Sequence, residues 1–175
     1  MILEKLNIEI KAKIKSLDEA RKIVKILKAK RIGVYHQKDT YFKVGKGRLK
    51  LREVKGLNPQ LIYYERKNIS KPKKSSLLIM DVENPKILKK ILGKIFGVWV
   101  VVEKVREVYM FKGVKIHLDK VKGLGSYLEF EKPTKNRKKD LEKSRKILVW
   151  LMKKFKIKEK DLEKGSYSDL ISQKV

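Results

Sequence analysis

The segment KIHLDKVKGLGSYLEFEK, residues 115–132, carries acids and bases at a spacing suited to binding a charged ligand. If it forms two strands, Lys115, His117 and Asp119 share one face of the first strand, because side chains alternate along a strand. Glu129 and Glu131 share one face of the second strand. The opposite faces are apolar, so this strand pair would have one apolar surface and one charged surface.

Other predicted strands repeat this alternation of charged and apolar faces. A strand near the N-terminus has a polar face opposite Ile8 and Ile10, and two later strands have basic faces opposite Leu51 and Val105. The polar faces are those of Asn7, Glu9 and Lys11, then Arg48, Lys50 and Arg52, then Lys104 and Arg106.

These polar faces predict a hydrated interior. For a single strand, an antiparallel sheet with one face in water is the simpler explanation of the pattern. Together, however, the apolar faces are long enough to require helix cover, which turns the charged faces toward one another inside a closed or strongly curved sheet. Buried charges are costly unless they are paired or bound to a ligand. Basic groups suit phosphate oxygens, and carboxylates among them suit a divalent cation that bridges to phosphate. This pattern predicts a metal–triphosphate site.

Composition sets the broad class. The chain has 175 residues, of which 42% are hydrophobic, and a formal net charge of +27. We expect one domain, residues 1–175, with a polyanionic partner. A lysine-rich surface of the kind found in heat-adapted proteins is the alternative, although heat adaptation raises both signs of charge. The absence of cysteine excludes disulfides and thiolate chemistry, and the charged N-terminus and short apolar runs predict a cytoplasmic protein without a membrane span.

Periodicity predicts an α+β fold with a closed antiparallel β-barrel of about eight strands and helices packed outside. Helices are predicted from Ser16 to a stop at Gly33, from Asn84 and Pro85, and over 140–155, with a short turn after Lys158. The polar interval 66–76 is predicted to be a loop. Strands are predicted at 3–14, 35–44, 47–55, 60–68, 77–83, 98–111, 114–121 and 126–132.

Three segments resemble the CYTH superfamily, the triphosphate tunnel metalloenzymes. KVREVYMFKGVKIHLDKVKGLGSYLEFE (104–131) resembles the family's K-x-R strand, D-x-V-x-G-L-G turn and E-x-E strand. QKDTYFKVGKGRLKLRE (37–53) resembles its Q-x-D-x-Y-F segment and basic strand, and SYSDLI (166–171) its closing S-Y segment. The likeness is greatest to the class IV adenylate cyclase branch, while other members hydrolyse thiamine triphosphate or inorganic triphosphate.

The resemblance implies site roles, residue by residue, and Mg²⁺ or Mn²⁺ as cofactor. Tyr167 matches the family's C-terminal tyrosine, which we expect to pack at the end of the tunnel. Catalytic roles are implied for Lys11, Arg106 and Asp119; triphosphate binding for Lys11, Lys50, Arg52, Arg66, Lys104 and Arg106; and metal binding for Glu9, Glu129 and Glu131.

Asn7 departs from the family pattern, because it stands where the first glutamate of the N-terminal signature usually lies. An amide oxygen can bind Mg²⁺ but carries no charge, so we expect a weaker metal site there. Glu4 cannot replace it, because its odd offset places it on the other face of the strand. His117 shares a face with Asp119, and such a histidine is more often a hydrogen-bonding residue than a catalyst.

The resemblance favours a class IV adenylate cyclase-type reaction, from ATP to cyclic AMP and pyrophosphate. Hydrolysis of thiamine triphosphate, inorganic triphosphate or a nucleoside triphosphate is the alternative, because the same tunnel serves both. A non-catalytic protein that binds RNA or polyphosphate is the alternative of another class. The expected partner is thus a triphosphate, with RNA or polyphosphate as the alternative. The sequence allows a homodimer, and it predicts no association with a membrane.

Overall fold

A computed structural model describes residues 2–174 of the chain, which form eight strands, four α-helices and one 3₁₀-helix. The order follows the prediction, with strands in hairpin-spaced runs and helices between them. The elements are β1 (Ile2–Lys13), α1 (Leu17–Ile26), β2 (Lys30–Phe42), β3 (Arg48–Val54), β4 (Gln60–Arg66), β5 (Lys73–Asp81), α2 (Pro85–Phe96), β6 (Val98–Phe111), β7 (Val114–Val121), β8 (Gly125–Pro133), α3 (Lys138–Lys154), the 3₁₀-helix (Glu159–Asp161) and α4 (Tyr167–Ser172).

The eight strands close into one antiparallel barrel in the order β1-β5-β4-β3-β2-β6-β7-β8. Pairing of β1 with β8 closes the ring and places Lys11 opposite Glu129. The predicted α+β class and closed barrel are therefore confirmed. Because paired residues point to the same side of a sheet, the predicted polar faces of β1, β3, β6, β7 and β8 point into the barrel together.

The main core lies outside the barrel, between α1, α3 and the outer faces of β1, β7 and β8. Burying an aliphatic side chain of this size contributes about 1.5–3 kcal/mol. This packing is what turns the charged faces inward. Its fully buried members include Ile8, Val114, Ile116, Leu118, Leu148 and Leu151.

Two helix starts follow the sequence signals. The Ser16 side chain accepts a hydrogen bond from the backbone N–H of Glu19 at 3.3 Å. The Asn84 side chain accepts one from the backbone N–H of Ile87 at 3.1 Å, and Pro85 is the first residue of α2. Both caps satisfy N–H groups that a helix leaves unpaired.

The predicted helix stop at Gly33 is wrong. Helix α1 ends at Ile26, because Lys28 has a left-handed φ of 53° and its N–H bonds back to the carbonyl of Lys25. Gly33 instead lies at a bulge in β2, where a Cβ atom would come 2.7 Å from the Tyr35 hydroxyl oxygen. The helical spacing of apolar residues in this segment does not reveal that the helix ends at Ile26.

Part of the predicted loop at 66–76 is also a strand. β5 begins at Lys73, because this residue and Ser75 face the barrel interior opposite Glu9 and Asn7 of β1. Polar residues can continue a strand where its partner face is polar too. Within residues 2–174, no helix combines the length and apolar character needed to cross a membrane.

Candidate functional site

A cavity of about 740 Å³ occupies the barrel interior and is called the tunnel cavity below. It is lined by the inward faces of the strands and by Ser166 and Tyr167. The structure therefore brings together residues that are distant in sequence. The predicted site residues on its walls are Glu9, Lys11, Lys50, Arg52, Arg66, Lys104, Arg106, Glu129 and Glu131.

The basic wall is the part of the tunnel lined by Lys50, Arg52, Lys104 and Arg106. Its first cluster joins β2 and β3 through Asp39. Asp39 lies directly opposite Arg52 in the register and is 2% exposed. Its carboxylate accepts hydrogen bonds from Lys50 Nζ at 2.8 Å, Arg52 Nε at 3.0 Å and Arg52 Nη2 at 3.1 Å. These bonds fix the guanidinium plane of Arg52.

A second cluster of the same design joins β6 and β7 through Asp119. Asp119 lies opposite Arg106 and accepts from its Nε at 2.7 Å and its Nη2 at 2.6 Å. Lys104 Nζ at 3.3 Å and the Tyr167 hydroxyl at 2.7 Å complete the set of donors. Asp119 is fully buried behind the tunnel wall, so its placement fits a positioning role, and the predicted catalytic role stays a prediction.

The clusters shift the pKa values of both charge types. Burial alone raises a carboxyl pKa, but Arg52 and Lys50 hold the pKa of Asp39 well below its usual range. Arg106 and Lys104 do the same for the pKa of Asp119. Burial, helped by the neighbouring arginines, lowers the pKa of Lys50 to about 7 and that of Lys104 to about 8.

The acidic wall carries a group of possible metal ligands on β7 and β8. His117, Glu129 and Glu131 each offer a ligand atom, and these atoms lie within 4.8 Å of one another. Burial and Arg106 lower the pKa of His117, so its imidazole is neutral at pH 7 and can donate a lone pair. Two carboxylates and a neutral imidazole fit a divalent cation.

Asn7 lies beside this group. Its Nδ2 donates to Glu131 Oε1 at 3.0 Å, and its Oδ1 is buried without a hydrogen-bond partner in residues 2–174. A buried acceptor without a partner is costly, and a bound cation would satisfy it. The residues present therefore fit a metal ion.

Glu9 is placed differently from the other predicted metal ligands. Its carboxylate forms an ion pair with Arg66 and lies outside the group that contains Glu129. Arg66 lies in the tunnel wall, with a side chain that is 3% exposed. A metal role for Glu9 remains a prediction.

Lys11 and Tyr167 close one end of the tunnel. Lys11 Nζ lies 3.2 Å from Glu129 and 3.8 Å from the centre of the Tyr167 ring. Burial lowers the pKa of Lys11 despite the nearby Glu129. Tyr167 begins α4 and is 4% exposed, so the expectation that it packs at the tunnel end is confirmed.

Sequence reasoning did not assign roles to Asp39 or Lys73. Asp39 lies in the Q-x-D segment that carried the family resemblance, and this was the available signal, whereas its pairing with Arg52 follows from the strand register. Lys73 is 2% exposed and donates to backbone carbonyls of Ile69 and Lys164. Its sequence context, a basic polar interval, gave no sign of burial.

A closed antiparallel barrel around a cavity lined by charged side chains defines a tunnel-type fold. The family model described as the CYTH domain matches residues 5–167, and the chain belongs to this family. A comparison with curated proteins gives no significant match.

Solved structures share this fold. The PH1012 protein of Pyrococcus horikoshii is 25% identical, with a TM-score of 0.84 and coverage of 94% of this chain and 98% of that one. A candidate adenylate cyclase of Vibrio parahaemolyticus is 20% identical, with a TM-score of 0.78 and coverage of 96% and 98%. A Hippeastrum protein, first described as a candidate adenylyl cyclase and reported to have dominant triphosphatase activity, is 16% identical, with a TM-score of 0.65 and coverage of 97% and 95%. The last two likenesses concern the fold alone.

Proposed function

We propose that the protein binds a triphosphate in the tunnel cavity together with Mg²⁺ or Mn²⁺ and cleaves one of its phosphoanhydride bonds. The observation that supports this most is the burial of Lys50, Lys104 and Arg106 beside His117 and Glu129 in one cavity. A surface that is merely rich in lysine has no reason to bury cations next to a group of metal ligands.

The basic wall supplies oriented donors for phosphate oxygens. Asp39 and Asp119 hold Arg52 and Arg106 in place before a ligand arrives, which reduces the ordering cost of binding. Lys11 adds a charge at the closed end of the tunnel. His117, Glu129 and Glu131 would hold the metal ion, with Glu9 as a further predicted ligand. When bound, a divalent ion neutralises charge that develops on the phosphate oxygens.

The first reaction proposed is the cyclase type, which the motif resemblance favours. The ribose 3′-oxygen attacks the α-phosphorus, the bond from that phosphorus to the bridging oxygen breaks, and pyrophosphate leaves. The 3′-hydroxyl gives up its proton. Arg52 and Arg106 would stabilise the charge on the phosphate oxygens through their remaining N–H groups.

Hydrolysis is the second candidate, and the open end of the tunnel favours it. This end, opposite α4, is lined by five aliphatic side chains together with Lys5, Asn58 and Lys115, and Gln60 there is already paired with Asp81 at 3.0 Å. Apolar walls offer contact area but few directions for distinguishing one base from another. Water would attack the γ-phosphorus and the bond to the bridging oxygen would break. The apolar residues concerned are Ile32, Val54, Leu57, Ile79 and Val108.

The test is to incubate the full chain with ATP and Mn²⁺ or Mg²⁺ and to separate the products. Cyclic AMP with pyrophosphate supports the cyclase, whereas ADP with phosphate supports the triphosphatase. Parallel reactions with inorganic triphosphate and thiamine triphosphate identify the preferred organic group.

Matched variants connect the activity to the tunnel. Arg106→Lys keeps the charge but loses the two-point geometry, so we expect a rate loss of at least about tenfold. Arg21→Lys, at an exposed ion pair with Glu107, is the control and should leave the rate unchanged. Tight phosphate or RNA binding without turnover, unaffected or strengthened by Glu129→Gln with Glu131→Gln, would instead support a non-catalytic binder.

A further inference from the structure

A second basic cavity lies at the end of the barrel where α4 sits. It has a volume of about 1080 Å³ and is formed by the β2–β3 connection, the β4–β5 connection and parts of α3 and α4. Below it is called the loop cavity. It shares Arg66 with the tunnel cavity, while the other tunnel residues given sequence-based roles do not line it.

The charge of the loop cavity is strongly unbalanced. Within residues 2–174, eight lysines and arginines line it against two acids, Glu65 and Asp169. Glu65 is already bound to Lys46 at 3.3 Å and Asp169 to Arg48 at 2.6 Å. Both acids are therefore satisfied locally, and the remaining cations repel one another.

Three of the lining cations have no protein partner. Lys43, Lys67 and Arg145 form no ion pair or side-chain hydrogen bond to another residue in the described part of the chain, and all three are exposed to the cavity side of the protein. Exposed lysines alone are typical of any basic surface. A buried group with free donors is needed to indicate a ligand.

Arg66 is that buried group. Its side chain is 3% exposed, and its Nε and Nη2 atoms are buried without hydrogen-bond partners within residues 2–174. Only its Nη1 is used there, in the ion pair with Glu9. The Nε atom of Arg48, in the same cavity wall, is also buried without a partner. Leaving guanidinium donors unpaired is costly, and a phosphate group matches their geometry and charge.

From this geometry we infer that the loop cavity is a second anion site, which binds a phosphate-bearing ligand through Arg66 and the cations of the two connections. The shared chemistry is a phosphate group with two or more charges. It comes either from a free phosphate compound or from the far end of a phosphate chain that also enters the tunnel. The inference does not depend on the proposed reaction, since it needs neither a metal ion nor turnover.

The experiment is a calorimetric titration of the full chain with pyrophosphate, in EDTA and at about 0.15 M salt to screen weak surface binding. We expect two equivalents to bind to the wild-type protein. The test variant should keep the equivalent bound in the tunnel cavity. Its affinity at the loop cavity should fall at least about tenfold. The test variant carries Lys43→Gln, Lys67→Gln and Arg145→Gln, all at exposed positions outside the tunnel.

The control variant removes the same charge from the α1 side, outside both cavities, and should bind two equivalents like the wild type. Wild-type binding that the test variant leaves unchanged, or an equal loss in both variants, would overturn the inference, whereas a single wild-type equivalent that the test variant weakens would count against the tunnel cavity alone. Repeating the titration with long linear polyphosphate distinguishes the two sources of the phosphate group. If one polyphosphate chain binds per protein and binds more weakly to the test variant, the chain spans both cavities. Two independent pyrophosphate equivalents without such a chain effect indicate a free ligand. The control carries Lys22→Gln, Lys25→Gln and Arg31→Gln.

Discussion

At the scale of single residues, the tunnel depends on carboxylates that orient cations. Asp39 and Asp119 each hold an arginine at two points and a lysine at a third. Without these acids, buried lysines would lose their protons more readily and the arginines would adopt several rotamers. The acids therefore keep the basic wall charged and ordered.

His117 makes the metal group unlike an all-oxygen site. Imidazole suits transition ions better than Mg²⁺, which prefers oxygen ligands. We expect His117→Ala to weaken Mn²⁺ binding about tenfold and to change Mg²⁺ binding much less. Calorimetry without substrate measures both. His36→Ala, at the chain's other histidine, which is exposed on β2, is the control. Equal losses for the two metals would show that His117 is not a ligand.

Asn7 is the residue at which added charge should strengthen the metal site. Asn7→Glu places a carboxylate beside Glu131 and adds a negative charge to the metal group. We expect Mn²⁺ to bind about tenfold more tightly, as measured by calorimetry. Asn7→Gln, which lengthens the side chain without charge, is the matched control. Weaker binding in Asn7→Glu would mean that repulsion between neighbouring carboxylates outweighs the gain.

At the scale of elements, Lys73 joins the start of β5 to two other segments. Its Nζ donates to the carbonyls of Ile69, Glu163 and Lys164, at 3.2, 3.2 and 2.7 Å. The β4–β5 connection and the segment that leads to α4 are thus held by one side chain. Because Tyr167 follows closely, this contact also helps to position the closed end of the tunnel.

Lys73→Met keeps the length of the side chain and removes its donors. We expect the free energy of unfolding to fall by about 1–3 kcal/mol, because three carbonyl oxygens lose a buried partner. Chemical denaturation measures this loss, and hydrogen exchange should become faster near Ile69 and Lys164. Lys74→Met is the control, since Lys74 is exposed and bonds only to Asn136 among the described residues, so its effect should stay within about 0.5 kcal/mol. Equal effects of the two changes would contradict the joining role of Lys73.

At the scale of the whole molecule, buried lysines link stability and ligand binding to pH in opposite directions. The pKa values of Lys50, Lys73 and Lys104 are lowered to about 7, 8 and 8 by burial and nearby arginines, from 10.5. Below about pH 7 these lysines are protonated in both states. Between there and about pH 10 the unfolded chain binds more protons than the folded chain, so stability rises with pH.

We therefore expect the melting temperature to rise from about pH 7 to about pH 9, while triphosphate affinity falls because the tunnel loses positive charge. Burial raises the pKa of Tyr41 and of Tyr167, so deprotonation of the unfolded chain should reverse the stability trend above about pH 10. Thermal melts and calorimetry across this range measure both quantities. Lys50→Met should flatten both trends, and a melting temperature that falls from pH 7 to pH 9 would contradict this assignment.

The sequence alone determined the barrel and the identity of most charged residues in the tunnel wall. A period of two, with acids and bases on one face and aliphatic side chains on the other, decides which face of each strand is buried under helices. The same alternation places Lys11, Arg106 and Glu129 on inward faces of their strands. Similarly, Ser16 and Asn84 marked helix starts, because capping is a local interaction.

Only the tertiary structure decided which charges meet. Glu9 pairs with Arg66, and His117 joins the metal group, through contacts between different strands of the barrel. Asp119 is enclosed by Tyr167, which belongs to the C-terminal segment. Periodicity gives the face of a side chain but not its depth along the tunnel or its partner, which depend on barrel closure and strand register. The burial of Lys73 and the loop cavity arise in the same way, where connections distant in sequence meet at one end of the barrel.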